Sequence, residues 1–232
     1  MDVARLRRRS HLTRSQRWSA SARRLGIVSA TGVLVVGILY VAVITSWLIM
    51  ERTPREPIGD PYLALMEILT MVSALSLLGV VLAIWCFPAP GRRLHALAAL
   101  GGGGLAVGLT LAVHFVQLTA VRQLWRAGRL ADYRLVWPSA LFAVEYFVWD
   151  VLVGFTMLSV GFALAGAHAA SHARRAWLMG GVLCIVGVAG PLSGRMLLQD
   201  IAVLGYAIVL PVAGALTARM FRQVPPSRAA AA

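Results

Sequence analysis

Apolar residues fill most of this chain in blocks too long for strands or for half-buried surface helices, and polar residues gather in the gaps between them. The first block, 25–50, is uninterrupted. It is longer than a signal-peptide core and lacks a small-x-small cleavage site before Glu51, so it reads as a retained membrane-spanning helix. Residues 51–61 break the pattern, because three prolines and a glycine remove helix donors and fix turn geometry. A second helix follows over 62–86. Phe87-Pro-Ala-Pro-Gly-Arg-Arg93 ends it, and a third runs over 95–121. The Gly101 to Gly104 run and Gly108 lie on this third helix. They would be costly in water, but in a bilayer such small residues let helices approach closely.

The polar stretch from Arg122 to Pro138 carries four arginines with Trp125, Tyr133 and Trp137, and is expected to lie partly along the membrane interface. Three further helices are predicted over 139–167, 177–192 and 201–220, the last two joined by a very short link. The fold class is therefore all-α, an integral membrane bundle of about six transmembrane helices. It is flanked by a basic tail over 1–24 and a disordered tail over 221–232.

Composition agrees with this reading. Hydrophobic residues make up 59% of the 232 positions and charged residues 13%, which leaves no room for a separate soluble domain. The formal charge of +13 does not indicate nucleic acid, because eight of the 22 basic residues lie in the first 24 positions. That tail instead suits anionic lipid headgroups. Fifteen arginines fall on the side of the termini and seven on the other. The positive-inside rule then predicts a multi-pass protein of the cell membrane with both termini cytoplasmic, although Arg122, Arg126, Arg129 and Arg134 pull the other way.

Charged groups inside a membrane helix cost roughly 2.5 kcal/mol or more, so each that persists needs a partner, a wet cavity or a function. Six residues raise this question: Glu67, His114, Glu145, Asp150, Arg195 and Asp200. At a rise of about 1.5 Å per residue, all six fall in the half of the membrane away from the termini, with Asp150 the deepest at about 16 Å. Glu67, His114 and Asp150 are the candidate catalytic residues. Glu145, Gln117, Arg195 and Asp200 are candidate substrate-binding residues.

Each of these has a structural reading as well. Glu67 sits near a helix start, where a carboxylate meets the positive end of the helix dipole. His114 shares a polar face with Thr110 and Gln117, and a hydrogen bond between helices would account for it. Pairing with Glu67 or Glu145 would instead make a proton relay. Glu145 and Asp150 are five residues apart, about 140° around an α-helix, so they do not both face one narrow site. Arg195 and Asp200 either pair across the turn or Arg195 reaches down to Asp150 or an anionic headgroup, with Gly190-Pro191 widening a cavity by kinking or ending the helix.

Cys86 and Cys184 are isolated in apolar runs and read as small buried hydrophobes. His95 and His168, at the ends of two helices, could in principle ligate a haem, but interfacial histidines beside arginines are commonplace and no cofactor or metal is expected. The sequence holds no P-loop, no Ser-x-x-Lys or G-x-S-x-G nucleophile and no H-E-x-x-H motif.

The pattern Asp-Pro-Tyr-Leu-x-x-Met-Glu at 60–67, His-Phe-Val-Gln-Leu-Thr at 114–119, Trp-Pro-Ser at 137–139 and Trp-Asp at 149–150 resembles that of small, uncharacterised polytopic membrane proteins of bacteria and archaea. The resemblance spans most of the chain after the basic tail and implies a topology but no activity. Three function classes stay open: an intramembrane enzyme on a lipid or isoprenoid-like substrate, a proton-coupled carrier, and a non-catalytic subunit working with a membrane-protein partner or a second copy of itself.

Overall fold

The computed structural model describes residues 18–50, 58–87, 91–127 and 137–226. Six helices among them are long and apolar enough to cross a bilayer: α1 Ala20–Met50, α2 Tyr62–Cys86, α3 Arg93–Leu124, α4 Ala140–Ala163, α5 Ser171–Ser193 and α6 Met196–Gln223. Large apolar side chains such as Leu39, Ile49, Leu97, Leu105, Phe115 and Val182 are exposed on their outer faces. Water would penalise that surface, whereas acyl chains accept it. The chain is a polytopic membrane protein built as an all-α bundle.

Each helix packs mainly on its neighbours in sequence, and α6 closes the ring against α1. Short connections force this up-and-down order. Two glycines show how close the approach is. A Cβ on Gly214 of α6 would lie 2.8 Å from the carbonyl oxygen of Ala30 on α1, and one on Gly181 of α5 would lie 2.8 Å from that of Gly154 on α4. Of the glycine run on α3, only Gly102 and Gly103 meet other helices, at Phe155 and Thr156 of α4 and, for Gly103, also at Val81 of α2. Gly101, Gly104 and Gly108 face open space. The helical repeat allows only part of such a run to face one neighbour.

The half of the bundle beside the termini is densely packed around Val80, Val81, Val160, Trp177 and Phe221, with Cys184 buried farther along α5. Trp177 donates its indole N–H to Thr217 Oγ1 at 2.9 Å, joining α5 to α6. Cys184 is a buried thiol and Cys86 is half-buried.

The bundle takes in residues from both predicted tails. Trp18, placed by the sequence reading in the basic tail, is 1% exposed and packs edge-on against Phe87 and at a tilt against Phe221. Arg23 lies on α1 and donates from Nε to the Phe221 carbonyl and from Nη2 to that of Arg222, both at 2.8 Å, satisfying carbonyls at the C-terminal end of α6. Phe221 itself is fully buried and α6 continues to Gln223. The remainder of both predicted tails, 1–17 and 227–232, lies outside the described residues, together with 51–57, 88–90 and 128–136.

Three of the six helices change winding in the half away from the termini. π-helical turns occupy Gln117–Val121 in α3, Phe147–Val153 in α4 and Leu204–Val209 in α6. Between α5 and α6 the chain reverses at Gly194, whose φ of 71° is left-handed and favours glycine.

Candidate functional site

The π turns surround a cavity of about 510 Å³ in that same half of the bundle. Its wall comes from α1, α2, α3, α4 and α6, and reaches the loop face at Ile58, Arg122 and Asp200. The lining is chiefly apolar, with Val33, Met66, Leu210 and Pro211 beside the aromatic rings of Tyr40, Phe142, Tyr146, Trp149 and Tyr206.

His114 is the centre of its polar wall. The α3 stripe of Thr110, His114 and Gln117 expected from spacing is buried throughout, at 1%, 4% and 3% exposure. From this stripe His114 Nδ1 contacts Glu67 Oε2 of α2, and its Nε2 lies 2.8 Å from Glu145 Oε1 of α4. Three helices are thereby joined through one imidazole. A neutral imidazole has a single N–H, and carboxylates only accept. Both contacts are hydrogen bonds at once only when the three groups hold two protons between them.

Glu145 is set by its own helix. Trp149, one turn on, donates its indole N–H to Glu145 Oε1 at 2.7 Å. That oxygen meets both the Trp149 N–H and His114 Nε2, while Glu145 Oε2 has no hydrogen-bond partner. Glu67, 3% exposed, packs among α2 side chains where Thr70 returns its hydroxyl to the Met66 carbonyl at 2.8 Å. At the mouth Arg122 Nε donates to Asp60 Oδ2 at 2.7 Å, and both side chains are about one-third exposed.

Asp150 is fully buried and is not on the cavity wall. It accepts from Gln199 Nε2 at 3.3 Å, and the same amide nitrogen lies 3.5 Å from the Tyr206 hydroxyl. Glu145 thus faces α3 and Asp150 faces α6. The two networks meet at Trp149, whose ring packs at a tilt against Tyr206 with centroids 5.4 Å apart.

Of the seven residues singled out by sequence, Glu67, His114 and Glu145 form one contact network, and Gln117 and Asp200 line the same cavity. Asp150 sits behind the wall. Arg195 is exposed in the α5–α6 turn, outside the cavity, and no ion pair between Arg195 and Asp200 or Asp150 occurs among the described residues. Gly194 turns the chain there, and the Arg195 N–H is spent on Ser193 Oγ at 3.4 Å.

Sequence reasoning missed Gln199 as well as Tyr40, Tyr146 and Tyr206. A tyrosine inside an apolar span is a usable signal, because its hydroxyl needs a partner. Gln199 gave none, lying in what reads as a loop.

His95 packs against Phe162, ring centroids 5.5 Å apart, and the His168 side chain lies outside the described residues. Among the described residues no group of three or more His, Cys, Asp or Glu side chains is arranged to hold a metal ion. No protein-family model matches the chain, and neither a curated protein nor a solved structure matches it.

Proposed function

We propose that the chain is an intramembrane enzyme that transfers protons to and from a lipid or isoprenoid-like substrate. The observation that carries this reading is His114 held through both ring nitrogens between Glu67 and Glu145 at the wall of an apolar cavity. Paired acids around an imidazole supply a proton store. Glu145, whose side chain on the cavity wall is 12% exposed against 3% for Glu67, is the acid better placed to meet substrate.

In this scheme protonated Glu145 delivers a proton to a carbon–carbon double bond. Positive charge then develops on the neighbouring carbon, where the rings of Tyr40, Phe142, Trp149 and Tyr206 stabilise it by cation–π attraction. Loss of a proton from the next carbon returns it to Glu145, and His114 and Glu67 redistribute charge within the triad. The net reaction is a redox-neutral isomerisation or cyclisation that consumes nothing. The cavity volume suits several isoprene units rather than a whole diacyl lipid. The excess of arginine beside the termini supports a cytoplasmic position for both ends in a cell membrane, with the cavity mouth toward the outer face.

The test is deuterium uptake. Protein in nanodiscs is incubated in D₂O with polyprenols and polyprenyl phosphates, which are then examined by mass spectrometry. Wild type incorporates deuterium at carbon, and Glu145→Gln lowers the rate by about 10²–10⁴-fold while remaining folded. Uptake no greater than with Glu145→Gln would overturn the enzyme reading, and a proton flux into proteoliposomes that depends on Glu145 would favour a carrier.

A further inference from the structure

Behind the triad lies a second buried polar cluster to which the proton-transfer scheme assigns no step. Asp150 on α4 and Gln199 near the start of α6 are 0% and 2% exposed. Asp150 Oδ2 and Gln199 Oε1 have no hydrogen-bond partner, and no cationic side chain forms an ion pair with Asp150 among the described residues. A buried carboxylate without a counter-charge in a bilayer is costly unless it is neutralised.

The geometry points to a monovalent cation of sodium's size held by Asp150, Gln199 and Tyr206. In the structure the Gln199 amide nitrogen lies 3.3 Å from Asp150 Oδ1 and 3.5 Å from the Tyr206 hydroxyl, longer than a good N–H···O bond. Turning the amide over puts Oε1 in the place of that nitrogen, so one amide oxygen then faces both the Asp150 carboxylate and the Tyr206 hydroxyl at about these separations. Around a six-coordinate ion the oxygen–oxygen edge is about 1.4 times the ion–oxygen distance. Edges of this size correspond to contacts of about 2.3–2.5 Å, within the range of a hard cation and too long for magnesium.

Charge selects the valence. One carboxylate among neutral oxygens balances one positive charge, whereas a divalent ion would leave a net charge in the membrane. Asp150 and Tyr206 both sit on π turns, a winding found mostly at functional sites. Gly190 of α5 pins Gln199 in place, since a Cβ there would lie 2.6 Å from the Gln199 backbone nitrogen. Gln199 and Tyr206 line the cavity, which gives the ion a path. Through the Trp149–Tyr206 contact, occupancy would bear on Glu145.

The experiment follows thermal unfolding of the full chain in nanodiscs at one alkaline pH, in sodium, potassium or choline chloride at equal ionic strength. Sodium raises the midpoint saturably and more than potassium, while choline does not. Asp150→Asn abolishes the sodium shift, and Gln199→Ala or Tyr206→Phe raises the half-saturating sodium concentration about tenfold. Equal midpoints in the three salts, or a sodium shift that persists in Asp150→Asn, would overturn the site. Should Asp150→Asn fail to fold, the other two variants decide it, and an unchanged half-saturation in both counts against the proposal. Because the readout is binding to the protein alone, its failure is separate from that of deuterium transfer.

Discussion

Trp149 gives its indole N–H to the same oxygen of Glu145 that His114 Nε2 meets, at 2.7 and 2.8 Å respectively. The tryptophan fixes the carboxylate's rotamer and leaves Oε2 as its unpartnered atom. Trp149→Phe keeps most of the ring's packing and removes the donor. The expected loss is about 0.5–1.5 kcal/mol of stability, the range for an ordinary hydrogen bond, measured by reversible unfolding in mixed micelles. Deuterium incorporation should fall in kcat more than in KM, because the substrate still meets the same cavity wall.

His114 holds two acidic side chains from two other helices. His114→Leu strands both in an apolar wall and should cost about 3–5 kcal/mol, the penalty for removing one partner of a buried pair. Adding Glu67→Gln and Glu145→Gln to His114→Leu should recover a large part of that loss, since amides bury more cheaply than carboxylates. A triple variant no more stable than His114→Leu would show that the histidine's role is packing.

At the cavity mouth the Arg122–Asp60 pair is about one-third exposed. Solvent screens such a pair, so Arg122→Gln should change stability by less than about 1 kcal/mol. The same unfolding measurement separates this rim contact from the buried triad.

Two glycines make opposite forecasts. A Cβ on Gly181 would meet backbone atoms of α4, the Gly154 oxygen and the Leu158 nitrogen, both at 2.8 Å, so Gly181→Ala should lose about 1–3 kcal/mol by forcing α4 and α5 apart. Gly104 faces open space, and Gly104→Ala should be neutral or stabilising by about 0.5–1 kcal/mol through helix propensity.

These contrasts show what the sequence could and could not reveal. The six spans were legible because a bilayer demands long apolar runs, and proline and glycine mark the breaks. Glu67, His114 and Glu145 were legible because ionisable groups inside such runs need partners, and similar depths on three helices made one meeting place natural. Trp18 was obscured by surrounding arginines, yet its ring is large enough to draw the end of the tail into the bundle. The π turns leave no mark in hydrophobic periodicity, so the widening of α3, α4 and α6 around a cavity could not be read. Arg195 and Asp200 are close in sequence, but the left-handed backbone at Gly194 and the short turn place them apart in function: one on the exposed turn, one at the cavity rim.

The most direct test of the account is the ¹⁵N NMR spectrum of His114 in bilayers, assigned among the five histidines by its loss in His114→Gln. Glu67→Gln and Glu145→Gln should each shift the ring ¹⁵N resonances of His114, because either carboxylate helps set which nitrogen carries a proton. A spectrum unmoved by either substitution would mean that the three helices do not converge on one imidazole, and the proposed proton-transfer site would lose its foundation.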